Sequence, residues 1–249
     1  AGYEVFFMEH RGHGYSGRQI DEADIVHVNS YNDYTQDIHQ FMTEVVKPRI
    51  GNLTCIMFAH SMGGAIGALY LEQHPGVFDA AILSSPMFGI KTDGTPKFLI
   101  SLMLAKIKLL RQEKLPFPGG KHWDGIPTYE QSSAMSEARY TYIFNQRLAD
   151  SHYHTNMMSN GWGYASFRTT PKILRDAGKI DIPVLLLTSG NDALVDSKGH
   201  YKFAYSTPNT EFVIYEGAKH ELYNGTEEIL EDYYRRIFGF LAKVTKQNL

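Results

Sequence analysis

The sequence predicts a mostly parallel, doubly wound α/β sheet that a helical insertion interrupts once. Three observations carry that prediction. Short apolar runs rich in β-branched and aromatic residues recur along the chain, continuous rather than alternating, as expected of strands covered on both faces. Amphipathic helical patterns sit between or after these runs, and such alternation favours right-handed crossovers within one sheet. The alternation breaks in one place only, between Ser85-Pro86 and Ile182-Pro183, where the intervening stretch is far too long for a single crossover helix.

The elements follow in order. Residues 5–8 (Val5-Phe6-Phe7-Met8) read as a strand entered almost at once after Ala1. The chain does not open on methionine, so the expectation is a fragment of a longer protein whose leading strands precede this chain. Residues 31–47 read as a helix. Residues 53–58 read as a buried strand holding Cys55, and residues 64–73 as a helix with small residues (Ala65, Gly67, Ala68) on its packing face. Residues 80–83 form the next expected strand. The insertion offers helices over 97–111, 132–150 and 164–177, with a Pro/Gly loop over 115–127, and is expected to cap the carboxyl edge of the sheet. Strands over 184–187 and 211–215, with helices over 197–205 and 226–244, complete the pattern. The expected division is a core of 1–85 and 182–249 and a cap of 86–181.

At 249 residues the chain is long enough for one α/β domain with such an insertion. A net charge of −3 gives no electrostatic footing for nucleic acid. A single cysteine rules out an internal disulfide. No window approaches the ~18 continuous apolar residues of a membrane span.

The chemistry centres on Phe58-Ala59-His60-Ser61-Met62-Gly63-Gly64, where a strand turns sharply into a helix around a serine flanked by small residues. Such a turn lifts Ser61 Oγ clear of the sheet, over the N-terminus of a helix whose N–H groups favour negative charge. A nucleophilic serine needs a base, and the base an orienting acid. Asp192 follows the fourth expected strand and His220 the fifth, both just past strand ends, where ligands bind in open α/β sheets. An aspartate after a strand is commonly a helix cap, and a loop histidine commonly just solvated. The order Ser…Asp…His in the right topological places is what joins them. Asp196 competes as the acid but is better placed to cap the following helix. His152-Tyr153-His154 has ligand-like residues without a third ligand nearby, so neither a metal nor another cofactor is expected.

Glu9-His10-Arg11-Gly12-His13-Gly14-Tyr15-Ser16-Gly17 resembles the D-x-R-G-x-G-x-S loop of α/β-hydrolases, with Glu9 in the place of the usual Asp. Together with Ala59-His60-Ser61-Met62-Gly63-Gly64, His74-Pro75-Gly76, Ser85-Pro86-Met87-Phe88-Gly89-Ile90 and Glu216-Gly217-Ala218-Lys219-His220-Glu221, it is similar to the lysophospholipase and monoglyceride lipase group, above all to bacterial inner-membrane lysophospholipases. The resemblance runs along nearly all of the chain and is weakest in the cap. It implies Ser61, Asp192 and His220 as catalytic residues and the backbone N–H of Met62 as first oxyanion donor. It puts the second donor in a His-Gly loop upstream of the R-G-x-G-x-S loop, hence before Ala1; His13-Gly14 matches that loop by letters only. The implied function is serine hydrolysis of the carboxylic ester of single-acyl lipids, as in a lysophospholipase, with monoacylglycerol lipase and broad carboxylesterase as alternatives. A ligand-binding receptor on the same fold is the non-enzymatic rival. The implied partner is a small lipid ester, in the cytoplasm or peripheral to the bacterial inner membrane. Residues 97–111, apolar on much of their surface with Lys106, Lys108 and Arg111 interspersed, read as a lid helix that covers an acyl chain or touches an anionic membrane surface, or equally as a helix whose apolar stripe packs on the core.

Overall fold

The computed structural model describes residues 2–92 and 94–245. They fall into two compact units: one of Ala1–Leu53, Thr95–Ile126 and Gln146–Ser166, the other of Thr54–Gly94, Pro127–Asn145 and Phe167–Leu249. Residues 86–181 are shared between the two.

The second unit holds a four-stranded sheet of Ile56–His60, Ala80–Ser84, Val184–Ser189 and Thr210–Tyr215. With the short strands Ile25–Val26 and Met157–Met158 of the first unit, these are numbered in chain order: β1 is 25–26, β2 56–60, β3 80–84, β4 157–158, β5 184–189 and β6 210–215. The sheet order is β2-β3-β5-β6 and every pair is parallel. The central strands β3 (AAILS) and β5 (VLLLTS) are buried along their whole length, which is why their sequences are apolar without alternation. Helix α3 (Met62–Gln73) joins β2 to β3, and α7 (Lys198–Ser206) joins β5 to β6. Helix α8 (Glu227–Thr245) presents Leu230, Tyr233, Ile237 and Phe240 at three- and four-residue spacing. The last three close a core with Ile82, Leu185, Leu187 and Tyr215. Tyr233 satisfies its buried hydroxyl by donating to Ser84 Oγ at 3.1 Å. Cys55, expected inside a core strand, lies one residue before β2 and is half-buried.

The first unit is organised by loops and helices. Residues 5–8 do not form the expected strand. They have no ladder partner among the described residues, and Val5 and Phe7 are 82% and 83% exposed. An apolar run becomes a strand only where a neighbour accepts its backbone hydrogen bonds. The Glu9–Gly17 loop folds around the Glu9 carboxylate, which accepts the Tyr15 N–H at 2.9 Å, while Ser16 Oγ donates to the Glu9 carbonyl. Gly14 is required there: its φ is +51°, and a Cβ would sit 2.2 Å from Glu9 Oε1. Arg11 grips Asp37 with two bonds of 2.7 and 2.6 Å. Asp37 lies on α1 (Tyr31–Phe41), which Ser30 and Asp33 cap reciprocally. The helix expected to run unbroken over 31–47 passes through a π-helical segment, Met42–Val46, into the short α2 (Lys47–Ile50). Pro48 has no N–H for the Glu44 carbonyl, and the turn before it widens so that Lys47 N–H reaches Met42 O.

Helix α4 (Lys97–Leu109) has two opposed apolar faces. Ile100, Leu104 and Ile107 are buried, whereas Phe98, Leu102 and Leu109, on the other side, are 64%, 62% and 82% exposed. Helices α5 (Glu137–Ala149) and α6 (Asn160–Asp176) each contribute residues to both units.

Candidate active site

β2 ends at His60, α3 begins at Met62, and Ser61 stands alone between them with φ 53° and ψ −122°. A positive φ on a residue with a Cβ costs about 1–2 kcal/mol and persists only where the surroundings hold it. Three main-chain bonds do so. Ser61 N donates to Ser84 O at 3.0 Å, while the Ser61 carbonyl accepts Met87 N–H at 2.8 Å and Ala65 N–H at 3.2 Å. Small residues allow the approach: a Cβ on Gly64 would lie 2.6 Å from Pro86 Cβ, and one on Gly67 would lie 2.6 Å from Met57 Sδ. The Met62 N–H belongs to the first turn of α3, beside the serine.

His220 follows β6 and is 4% exposed. Its Nε2 lies 2.7 Å from Ser61 Oγ and its Nδ1 lies 2.6 Å from Asp192 Oδ2. A carboxylate can only accept, so Nδ1 carries the proton and Nε2 offers its lone pair to the serine hydroxyl. Asp192 follows β5, and its Oδ1 accepts the N–H groups of Leu194 at 2.8 Å and Val195 at 2.9 Å. Burial alone would push its carboxyl up. Bonds from His220 and Ser189, with the His220 charge, outweigh that and hold it well below the usual carboxylate range. Asp192 is therefore an anion wherever the protein is folded near neutral pH. Asp196, the competing acid, instead accepts the Lys198 N–H at 3.1 Å at the start of α7.

The structure thus brings Ser61, His220 and Asp192 into one hydrogen-bonded line, all three within the second unit. Such a line can deprotonate the serine as it attacks an electrophile and stabilise the imidazolium that results. Sequence reasoning missed several neighbours. His60 lies 4.8 Å from His220, ring to ring; burial, then the adjacent His220, lower its pKa to about 3, so it stays neutral beside the base. His200 is fully buried and meets the Pro86 carbonyl through Nε2 at 2.6 Å, bracing the turn that packs on Gly64. Lys91 Nζ donates to the Asp192 carbonyl. Ser189 donates to Asp192 Oδ2 at 2.6 Å. The one available signal was a serine ending, after Thr188, an apolar strand three residues before the acid.

In the first unit, His152 Nδ1 pairs with Asp150 and His154 Nε2 with the Arg147 carbonyl. They line a concavity of about 460 Å³ with Arg18, Asp24 and Trp123. Among the described residues no helix is long and apolar enough to cross a membrane.

Comparison with known proteins bears on this geometry. The family model Hydrolase_4, described as serine aminopeptidase S33, matches residues 1–227. The chain is 32% identical over 203 residues to lysophospholipase L2 of Escherichia coli strain K12, covering 81% of this chain and 59% of that protein. It therefore spans about three-fifths of the length of that relative. It is 27% identical over 250 residues to the monoglyceride lipase of Homo sapiens, covering 97% of this chain and 74% of that one. Among solved structures, the monoacylglycerol lipase of Paleococcus ferrophilus superposes with a TM-score of 0.68 at 21% identity, covering 94% of this chain and 81% of that one. A thermostable carboxyl esterase from Bacillus coagulans gives 0.71 at 16% identity, over 94% and 78% of the two chains. With a family model matched over most of its length and the same fold in these neighbours, the chain belongs to the Hydrolase_4 family of α/β-hydrolases.

Proposed function

We propose that this chain is a serine carboxylic-ester hydrolase acting on single-acyl lipids, a lysophospholipase, working through Ser61, His220 and Asp192. The observation that carries the reading is the unbroken line from Ser61 Oγ through His220 to Asp192 Oδ2, with both ring nitrogens within 2.7 Å of their partners. In the first step His220 Nε2 takes the hydroxyl proton as Ser61 Oγ attacks the ester carbonyl, and Asp192 stabilises the imidazolium. The Met62 N–H supports the oxyanion. The tetrahedral intermediate collapses, the C–O bond to the alcohol breaks, and His220 returns its proton to the leaving oxygen. Water, deprotonated by His220, then cleaves the acyl-serine. Neither half-reaction requires a cofactor.

Ester hydrolysis follows from the nucleophile and its base. The lysophospholipid substrate is supported by the resemblance in the sequence and by the name of the Escherichia coli relative. The segment 86–181 is the part proposed to select it. The outward face of α4, apolar and neighboured by Lys106, Lys108 and Arg111, fits an anionic lipid surface from which such a substrate would be drawn.

The test compares hydrolysis of lysophosphatidylcholine and of monoacylglycerol with the same acyl chain, against a Ser61→Ala blank. Preference for the phospholipid, lost in the blank, is the expected result. Preference for the neutral glyceride would make the protein a monoglyceride lipase with the same three residues. Binding without turnover of any ester would favour the receptor reading.

A further inference from the structure

We propose that Ser189 is a positioning residue of the reaction proposed above, holding the Asp192 carboxylate, and through it the His220 imidazole, in the orientation that serves Ser61. The inference rests on that reading of the three residues. Ser189 closes β5 and is fully buried. Its Oγ lies 2.6 Å from Asp192 Oδ2, the same oxygen that receives His220 Nδ1 at 2.6 Å. Ser85 Oγ donates to Ser189 Oγ at 3.3 Å, so the proton of Ser189 is left to point at Asp192. Ser85 is itself fixed, its N–H bonded to Leu187 O at 2.7 Å.

Asp192 consequently accepts four bonds: two main-chain N–H groups on Oδ1, and Ser189 with His220 on Oδ2. The Oδ1 pair anchors one side of the carboxylate, and Ser189 stops the other from turning toward a different partner. Removing the hydroxyl should therefore leave the carboxylate, and through it the imidazole, less firmly placed. The other ionisable groups around this pair are His60 from β2, His200 from α7 and Lys91 from the segment after β3. None of them bonds to Ser189 Oγ, so the variant leaves them in place.

A buried serine could also matter only by filling space. Two variants in the full chain separate the cases, assayed with p-nitrophenyl butyrate for kcat and KM and with a fluorophosphonate for labelling of Ser61. Ser189→Ala removes the donor, and Ser189→Cys fills the site with a weak one. If the hydroxyl positions Asp192, both variants lose roughly tenfold in kcat with KM little changed. Both also slow fluorophosphonate labelling of Ser61 to a similar degree. Native kcat and labelling in both variants overturn the proposal, as does a Cys variant matching the native enzyme while Ala does not. Loss of p-nitrophenyl butyrate hydrolysis and of labelling in Ser61→Ala, alongside native behaviour of both Ser189 variants, would retire only the role of Ser189. Full activity in Ser61→Ala would retire the underlying reading itself.

Discussion

Replacing Glu72 with glutamine should stabilise the protein, and by an amount that depends steeply on pH. Glu72 lies in the last turn of α3, where the helix dipole already disfavours negative charge, and its Oε1 is buried without a hydrogen-bond partner. Burial first, then the nearby Asp176 carboxylate, raise its pKa from 4.5 to about 8, against the pull of Lys179, Arg175 and Lys172. Between those two values the folded protein keeps a proton that the unfolded chain has released. The folded state therefore binds more protons, and stability falls as pH rises through this window. At about 1.36 kcal/mol per unit, the span from 4.5 to 7 amounts to about 3 kcal/mol of lost stability, rising to nearly 5 kcal/mol above pH 8 and vanishing below pH 4. Glutamine keeps the shape and cannot ionise. Urea unfolding of Glu72→Gln and native protein at pH 4, 7 and 9 should give curves that coincide at pH 4 and separate progressively, with equal m-values. A stabilisation of the same size at pH 4 and pH 9 would refute the reasoning, because packing rather than ionisation would then be its source.

Three further outcomes follow from the site and its supports. Asp192→Asn should lower kcat by roughly 10³–10⁴-fold with little change in KM, because an amide cannot accept all four bonds and orients the wrong imidazole tautomer; steady-state kinetics on p-nitrophenyl butyrate measures it. Gly64→Ala should cost about 1–3 kcal/mol and slow fluorophosphonate labelling of Ser61, since the new methyl would meet Pro86 Cβ and Cα at 2.6 and 2.9 Å; calorimetry and a labelling time course check both parts. Leu102→Asp with Leu109→Asp should leave hydrolysis of a soluble ester intact and cut flotation with phosphatidylglycerol vesicles by at least tenfold, each leucine contributing about 1.5–3 kcal/mol when covered.

What the sequence made legible was whatever a side chain's own surroundings dictate. The strands β3 and β5 were readable because both faces are buried and every position is apolar or small. Asp192 stands just past β5 and His220 past β6, where the sequence expects strand ends, although β6 is only partly buried, and Ser61 stands in the tight turn after β2. Legibility failed where a partner distant in sequence decides. Val5-Phe6-Phe7-Met8 is as apolar as β3, yet a strand also needs a ladder neighbour. Leu53 looked like the start of a strand but is 67% exposed in a turn, and β2 starts at Ile56. Ser85 and Ser189 are 104 positions apart and meet only because β3, which Ser85 follows, neighbours β5, which Ser189 ends, so no local pattern announces their contact. The sequence of α4 announces an apolar helix, but not which of its leucines find company and which stay exposed.

Ser61 is gripped by its main chain: Ser84, Met87 and Ala65 hold its amide and carbonyl, and none of them touches the hydroxyl. The reactive atom is in that sense a replaceable tip on a fixed mount. Ser61→Cys would keep the same turn, since the left-handed backbone demands nothing of the atom at γ, and would carry sulfur to the point where Nε2 of His220 already waits. The fold would then present an addressable thiol, open to alkylating reagents and disulfide exchange, at a location chosen by the backbone rather than by the chemistry performed there.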